Sequence, residues 1–377
     1  MNDWTRNKMA PLPAALVALG LLTGSGCSRE APPPPVPPSL PAAEALVTPP
    51  PAPPRAVLDP AKLVVAFKPA PKGKATSGHQ DTEARIALGR MLFFDARLSK
   101  NHDISCNSCH GLDSFGVDNK PLSDGHRGQK GTRNSPTVYN AAGHIAQFWD
   151  GRASSLEAQA EGPLFNPVEM ALPDDQRLVA TLSSMPEYMR RFKAAFPSEK
   201  QPVTRATVTQ AIASFERQLT TPSRFDAFLA GDASALSAQE RRGLETFVSV
   251  GCTTCHNGGA VGGTSFQKLG LIEPWPHLAD GGRFEVTKDE EDRSKFRVPT
   301  LRNVEKTAPY LHSGSVQELP EMVRLMARHQ LGQTLGEADV EDVVAFLKSL
   351  TGQLPQQYIS APALPKSTPR TPKPDPS

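Results

Sequence analysis

Two short stretches hold the residues best suited to chemistry: Ser-Cys-Asn-Ser-Cys-His-Gly at 105–111 and Gly-Cys-Thr-Thr-Cys-His-Asn at 251–257. The 377-residue chain has five cysteines, and four of them, Cys106, Cys109, Cys252 and Cys255, sit in these two Cys-x-x-Cys-His patterns. With cysteine and histidine this scarce, chance does not account for the pair. Two thiols one turn apart suit thioether attachment to the two vinyl groups of a haem, and the next residue, His110 or His256, sets an imidazole beneath the iron. Two covalently bound c-type haems are therefore expected. A structural zinc site built from both cysteine pairs would leave the two histidines unexplained. A thioredoxin-like pair would want a βαβ setting, and none is visible near either motif.

The elements that must hold these motifs look duplicated. Arg85-Ile-Ala-Leu-Gly-Arg-Met-Leu-Phe-Phe precedes the first motif and Arg241-Arg-Gly-Leu-Glu-Thr-Phe-Val the second, each with glycine four residues before phenylalanine. Each half closes on an amphipathic pattern near i, i+3, i+4, i+7: Val208, Ala211, Ile212, Phe215 and Leu219, then Val340, Val343, Val344, Leu347 and Leu350. Strand signals are weak and the loops are rich in Gly and Pro. The expected fold is mainly α, with two class I cytochrome c-like haem domains in tandem and long loops, at 75–230 and 231–353.

The ends have another character. Residues 1–26 carry Arg6 and Lys8, then the apolar run AALVALGLL, too short to span a bilayer, then small residues, which reads as an export signal. LTGSGC resembles a bacterial lipobox, with Gly24 where leucine is usual, so Cys27 is the expected lipid anchor to a membrane. A proline-rich tether at 27–74 and a disordered tail at 354–377 are expected from composition. The expected location is the periplasm, tethered to a membrane as a lipoprotein. The net charge of +2 gives no sign of a nucleic-acid surface.

Whether a haem carries electrons or does chemistry depends on its sixth ligand. The other histidines are His79, His102, His126, His144, His277, His312 and His329, and the methionines of the folded part are Met91, Met170, Met185, Met189, Met322 and Met326. Spacing does not choose among them.

Three runs carry a resemblance that does. FFDARLSKNHDISCNSCHG, RNSPTVYNAAGHIAQFWDGRASSLEAQAEGPLFNPVEM and FRVPTLRNVEKTAPYLHSGSVQELPEMVRLMARHQLG resemble, in order across residues 85–352, the bacterial di-haem cytochrome c peroxidases. The resemblance implies His126 as distal ligand of the first haem and Met326 as distal ligand of the second. Met322 lies one turn before Met326. It implies Glu169, in NPVEM, as the group that moves a proton between the peroxide oxygens, with Gln159 lining the same pocket and Trp149 standing between the haems. It also implies one calcium ion on Asn134, Thr307 and Pro309, whose oxygens suit that ion.

The implied activity is reduction of hydrogen peroxide to water at the first haem, with electrons from a small c-type cytochrome or a cupredoxin reaching the second. A homodimer is a further expectation. Two other functions compete with this one. The related methylamine-utilisation di-haem enzymes oxidise tryptophans of a partner protein and carry tyrosine where this chain has Met326. A passive di-haem electron carrier would have no peroxide turnover.

Overall fold

The computed structural model describes Leu63, residues 65–70 and residues 81–377. The expected export signal at 1–26, Cys27, His79 and most of the 27–74 tether lie outside the described residues.

The N-terminal half is built from α1 (Glu83–Phe94), the one-turn α2 (Cys106–Cys109), α3 (Leu156–Phe165), α4 (Asp175–Ser183), α5 (Pro186–Ala195) and α6 (Arg205–Glu216). Thr82 starts α1 by accepting the Arg85 amide at 3.3 Å, which satisfies one of the donors a helix leaves open at its first turn. α1 crosses α6 backbone to backbone. A Cβ on Gly89 would stand 1.8 Å from the Ala211 carbonyl oxygen, so only glycine allows this crossing, and Phe93 then meets Phe215 with ring centroids 5.5 Å apart.

The C-terminal half repeats the device. After α7 (Arg224–Leu229) come α8 (Ala238–Val250), the one-turn α9 (Phe284–Thr287), α10 (Leu319–Leu331) and α11 (Glu337–Ser349). Ser237 and Glu240 cap α8 reciprocally. A Cβ on Gly243 would stand 1.8 Å from the Asp342 carbonyl oxygen, and Phe247 meets Phe346 at 5.3 Å. The two-stranded antiparallel sheet of β1 (Phe266–Lys268) and β2 (Lys295–Arg297) pairs Gln267 with Phe296.

A further repeat, Pro-Thr-x-x-Asn at 136–140 and 299–303, joins the halves. Asn140 and Asn303 both adopt left-handed backbone, at φ 60° and 63°, which asparagine tolerates better than most side chains. Their side-chain amides donate to the same Thr221 hydroxyl oxygen, at 2.8 and 2.9 Å.

Three boundaries differ from expectation. Leu63 and Phe67, placed in the tether, are buried in the C-terminal core, where Phe67 packs on Phe225 at 5.2 Å and the Ala66 carbonyl accepts the Gly258 amide at 2.8 Å. The apolar run around them outweighs the prolines upstream. Phe225, Phe228 and Leu229, placed in the first domain, also belong to the C-terminal core, so the crossover lies before α7. The expected disordered tail instead runs along the N-terminal core: Leu354, Tyr358, Ile359 and Leu364 pack against it, and Tyr358 meets Phe215 edge-on at 5.6 Å.

Candidate active site: two cysteine-histidine cavities

The N-terminal motif opens onto a cavity of about 390 Å³. Cys106, Cys109 and His110 line it, together with Gln159 from α3 and Glu169 from the turn that follows α3. Asn166 builds that turn. Its carbonyl oxygen accepts the Glu169 amide at 3.0 Å, its side-chain oxygen accepts the Val168 amide at 3.0 Å, and its side-chain NH₂ donates to Glu169 Oε1 at 2.8 Å. Burial raises the Glu169 pKa, against the opposing pull of the Asn166 bond and the Arg152 charge. Such a carboxyl group can hold or release a proton inside the cavity.

His110 Nδ1 lies 3.3 Å from the Gly116 carbonyl oxygen, which orients the ring and leaves Nε2 to act as a ligand. Burial lowers its pKa, favouring the neutral, ligating form.

His126 is not part of the cavity wall. Its backbone amide is bound by the Val168 and Glu169 carbonyls at 3.0 and 2.8 Å, in the turn that carries Glu169. Its ring, however, points to the tail: Nε2 is 3.0 Å from the Ser377 main-chain oxygen, and Nδ1 is buried without a hydrogen-bond partner.

The C-terminal motif opens onto a second cavity, of about 200 Å³, lined by Cys252, Cys255 and His256. Burial pushes the His256 imidazole down to about 4, opposed by the nearby Val261 and Pro299 carbonyls, although no carbonyl reaches hydrogen-bonding geometry with Nδ1. Met322 and Met326, one turn apart on α10, both reach this wall. Asn134, Thr307 and Pro309, the residues expected to bind calcium, are also among its lining residues. Asn134 is braced by donation from its side-chain NH₂ to the Lys120 carbonyl at 2.8 Å, which leaves its side-chain oxygen as the donor atom for a cation.

The two cavities share a wall. Asn134, Pro136, Thr137, His144, Trp149 and Arg297 line both. Trp149 Nε1 donates to the Asn134 carbonyl at 2.9 Å, fixing the indole between the cavities. Arg297 and His144 were not singled out by sequence as site residues. Arg297 is buried, with Nε on the Phe148 carbonyl at 3.3 Å and Nη1 without a partner, and burial pushes its pKa down to about 10. Neither ring nitrogen of His144 has a partner. The repeat at 136–140 and 299–303 was the available signal, because it places Arg297 two residues before the second Pro-Thr pair, as Asn134 stands two before the first.

The chemistry of these walls fits two covalently held haems. Each cavity gathers both cysteines and the histidine of one motif. Burial raises all four thiols, Cys252 to about 12, so each cavity wall is apolar around its cysteines, as neutral thioethers would suit. A buried guanidinium without a carboxylate suits an anionic propionate. No cluster of three or more His, Cys, Asp or Glu side chains poised to hold a metal ion occurs among the described residues.

Two Cys-x-x-Cys-His cavities on a duplicated helical scaffold, separated by a tryptophan, define a di-haem c-type protein with one carboxylate-bearing pocket. The chain belongs to the di-haem cytochrome c peroxidase family, whose sequence profile matches residues 83–234. It is 47% identical over 315 residues to the cytochrome c551 peroxidase of Pseudomonas aeruginosa, covering 82% of this chain and 90% of that protein. It is 48% identical over 293 residues to the cytochrome c551 peroxidase of Nitrosomonas europaea, covering 77% and 86%. The methylamine utilization protein MauG of Methylorubrum extorquens is 33% identical over 296 residues, covering 75% and 82%. Among solved structures, a MauG-like protein associated with microbial copper homeostasis superposes with a TM-score of 0.67 at 30% identity, covering 81% of this chain and 97% of that one.

Proposed function

We propose that this chain reduces hydrogen peroxide to water in its N-terminal cavity, with electrons that arrive through the C-terminal cavity from a small c-type cytochrome or a cupredoxin. The observation that carries the assignment of roles is the placement of Glu169 and Gln159 on the wall that also holds Cys106, Cys109 and His110. When bound, the haems supply one-electron redox chemistry and an iron on which peroxide is cleaved. Cys106 and Cys109 would anchor one and Cys252 and Cys255 the other, each half serving as a class I haem domain. His110 and His256 would be the proximal ligands, and His126 and Met326 the distal ones.

The protein's own part is proton handling and orientation. Peroxide takes up two electrons and two protons and yields two waters, so a proton must leave the near oxygen and reach the far one. Asn166 occupies Glu169 Oε1, which leaves Oε2 to take that proton and return it. Gln159 orients the peroxide from the same wall. Trp149 and Arg297, which line both cavities, place an aromatic ring and a positive charge between the donor and acceptor halves. The calcium ion, bound by Asn134, Thr307 and Pro309, would hold the 134 and 307–309 loops together.

The remaining proposals concern location and assembly. An export signal at 1–26 sends the chain to the periplasm, where covalent haem is attached, and Cys27 carries a lipid that ties it to a membrane. It assembles as a homodimer.

Glu169→Gln tests the assignment. Peroxide turnover should fall by about 10²–10⁴ with haem content unchanged, the range for loss of a positioned acid-base group. Wild-type turnover should also decline as pH falls through the raised Glu169 pKa, because protonation removes the base, and the variant should lack that acid limb. Turnover that survives in the variant would remove Glu169 from the chemistry.

A further inference from the structure

Resting on His126 as the distal ligand of the N-terminal haem, we infer that residues 354–377 form a strap whose end positions His126 outside the cavity and so keeps the peroxide side accessible.

The strap is tied down along its length. Arg90 Nη2 donates to the Ser360 carbonyl at 2.8 Å and Arg97 Nη1 to the Pro365 carbonyl at 2.8 Å. Thr371 is buried, its hydroxyl 2.7 Å from that of Ser184, and Arg177 donates to the Lys373 carbonyl. These anchors come from elements around the N-terminal core, so the strap's end is delivered to one place.

That place is a tight knot around Lys100. The Asp375 amide donates to the Lys100 carbonyl at 3.0 Å, and the Ser377 amide to Asp375 Oδ1 at 2.9 Å. Lys100 Nζ donates to the Ser377 main-chain oxygen at 2.7 Å, the same oxygen that lies 3.0 Å from His126 Nε2. The backbone amide of Lys100 is itself bound to the Met170 carbonyl at 2.8 Å, next to Glu169. The knot therefore joins the strap, the turn that carries Glu169 and the His126 loop.

A neutral imidazole has one donor and one acceptor nitrogen. With Nε2 donating to Ser377, that nitrogen cannot also bind iron, so the strap contact and ligation through Nε2 exclude each other. The backbone of the loop that carries His126 is held independently of the strap, so the strap acts on the ring alone. Gly125 and Gln129 close the loop with a 2.8 Å backbone bond, and Arg127 at its tip takes left-handed backbone at φ 59°. The strap makes the outward position the bonded one.

The test uses the haem-loaded full chain and a variant ending at Pro374, which removes the knot and keeps the anchors at 354–371. With the second haem reduced, electron paramagnetic resonance gives the ratio of high-spin to low-spin N-terminal haem, and cyanide binding reports access to its iron. The truncation should lower that ratio, and slow cyanide binding, by about five-fold, the value of one hydrogen bond. Full-length Asp375→Ala, which leaves Ser377 in place but loosens the knot, should move both in the same direction. An unchanged ratio in both variants overturns the strap. His126→Ala separates the two readings. If its N-terminal haem is high-spin whatever the tail, His126 is the ligand and the truncation result judges the strap alone. If its N-terminal haem stays low-spin, the ligand assignment and the strap fall together.

Discussion

The two halves of the molecule share a scaffold and differ in their walls. Gly89 and Gly243 make the same close helix crossing, and Asn140 and Asn303 converge on the same threonine. The cavities they frame are chemically unlike. Among the lining residues, the N-terminal cavity has two carboxylates, Glu169 and Glu216, and the C-terminal cavity has none, presenting Met322 and Met326 instead. α3 with its following turn supplies Gln159 and Glu169 to the first, and α10 supplies the thioethers to the second. A duplicated helical scaffold thus becomes asymmetric through one helix per half. The carboxylates suited to proton chemistry line one cavity, and the thioethers suited to raising a haem's potential line the other.

Breaking that asymmetry should have its largest effect at α10. Met326→Ala should abolish the methionine-ligation signature of the haem spectrum completely, whereas Met322→Ala should keep it. The reverse result would exchange the two roles. A smaller effect sharpens the shared part. Gly89→Ala and Gly243→Ala should each destabilise the protein by about 3 kcal/mol in denaturant unfolding, because backbone must part to admit the methyl group. A benign substitution in only one half would show that the crossings are not equivalent.

A pH-dependent difference between the cavities concerns Glu216, buried with Oε2 unpartnered and raised to about 8 by burial. The folded chain holds a proton there that the unfolded chain releases near pH 4.5, so this site should weaken stability as pH rises from about 4.5 to 8 and level off beyond. Glu216→Gln, which cannot ionise, should escape this loss. Parallel thermal midpoints at all pH values would show that Glu216 is not held neutral.

Much of this was legible in the sequence because it rests on local spacing. The Cys-x-x-Cys-His pairs marked the residues that each cavity gathers, and the Gly-x-x-x-Phe and i, i+3, i+4, i+7 patterns marked the paired helices α1 and α6, α8 and α11. The resemblance named Glu169, Gln159 and Trp149, and the fold puts the first two on the N-terminal wall and Trp149 on the shared one. What spacing does not encode was missed. Arg297 reads as an ordinary surface cation until the fold buries it without a carboxylate. The tail reads as unpacked because proline and polar residues dominate it, yet a few apolar side chains dock it and its backbone carbonyls, which every residue owns and no composition reveals, tie it down. For the same reason the contact between His126 and Ser377 had no sequence signal.

Peroxide turnover by the haem-loaded protein, measured before and after one-electron reduction with calcium present and followed alongside the haem spectrum, tests the division of labour most directly. The account predicts that activity rises as the N-terminal haem becomes high-spin while the C-terminal haem keeps its methionine signature. No turnover, with both haems remaining low-spin throughout, would contradict it and leave a di-haem electron carrier.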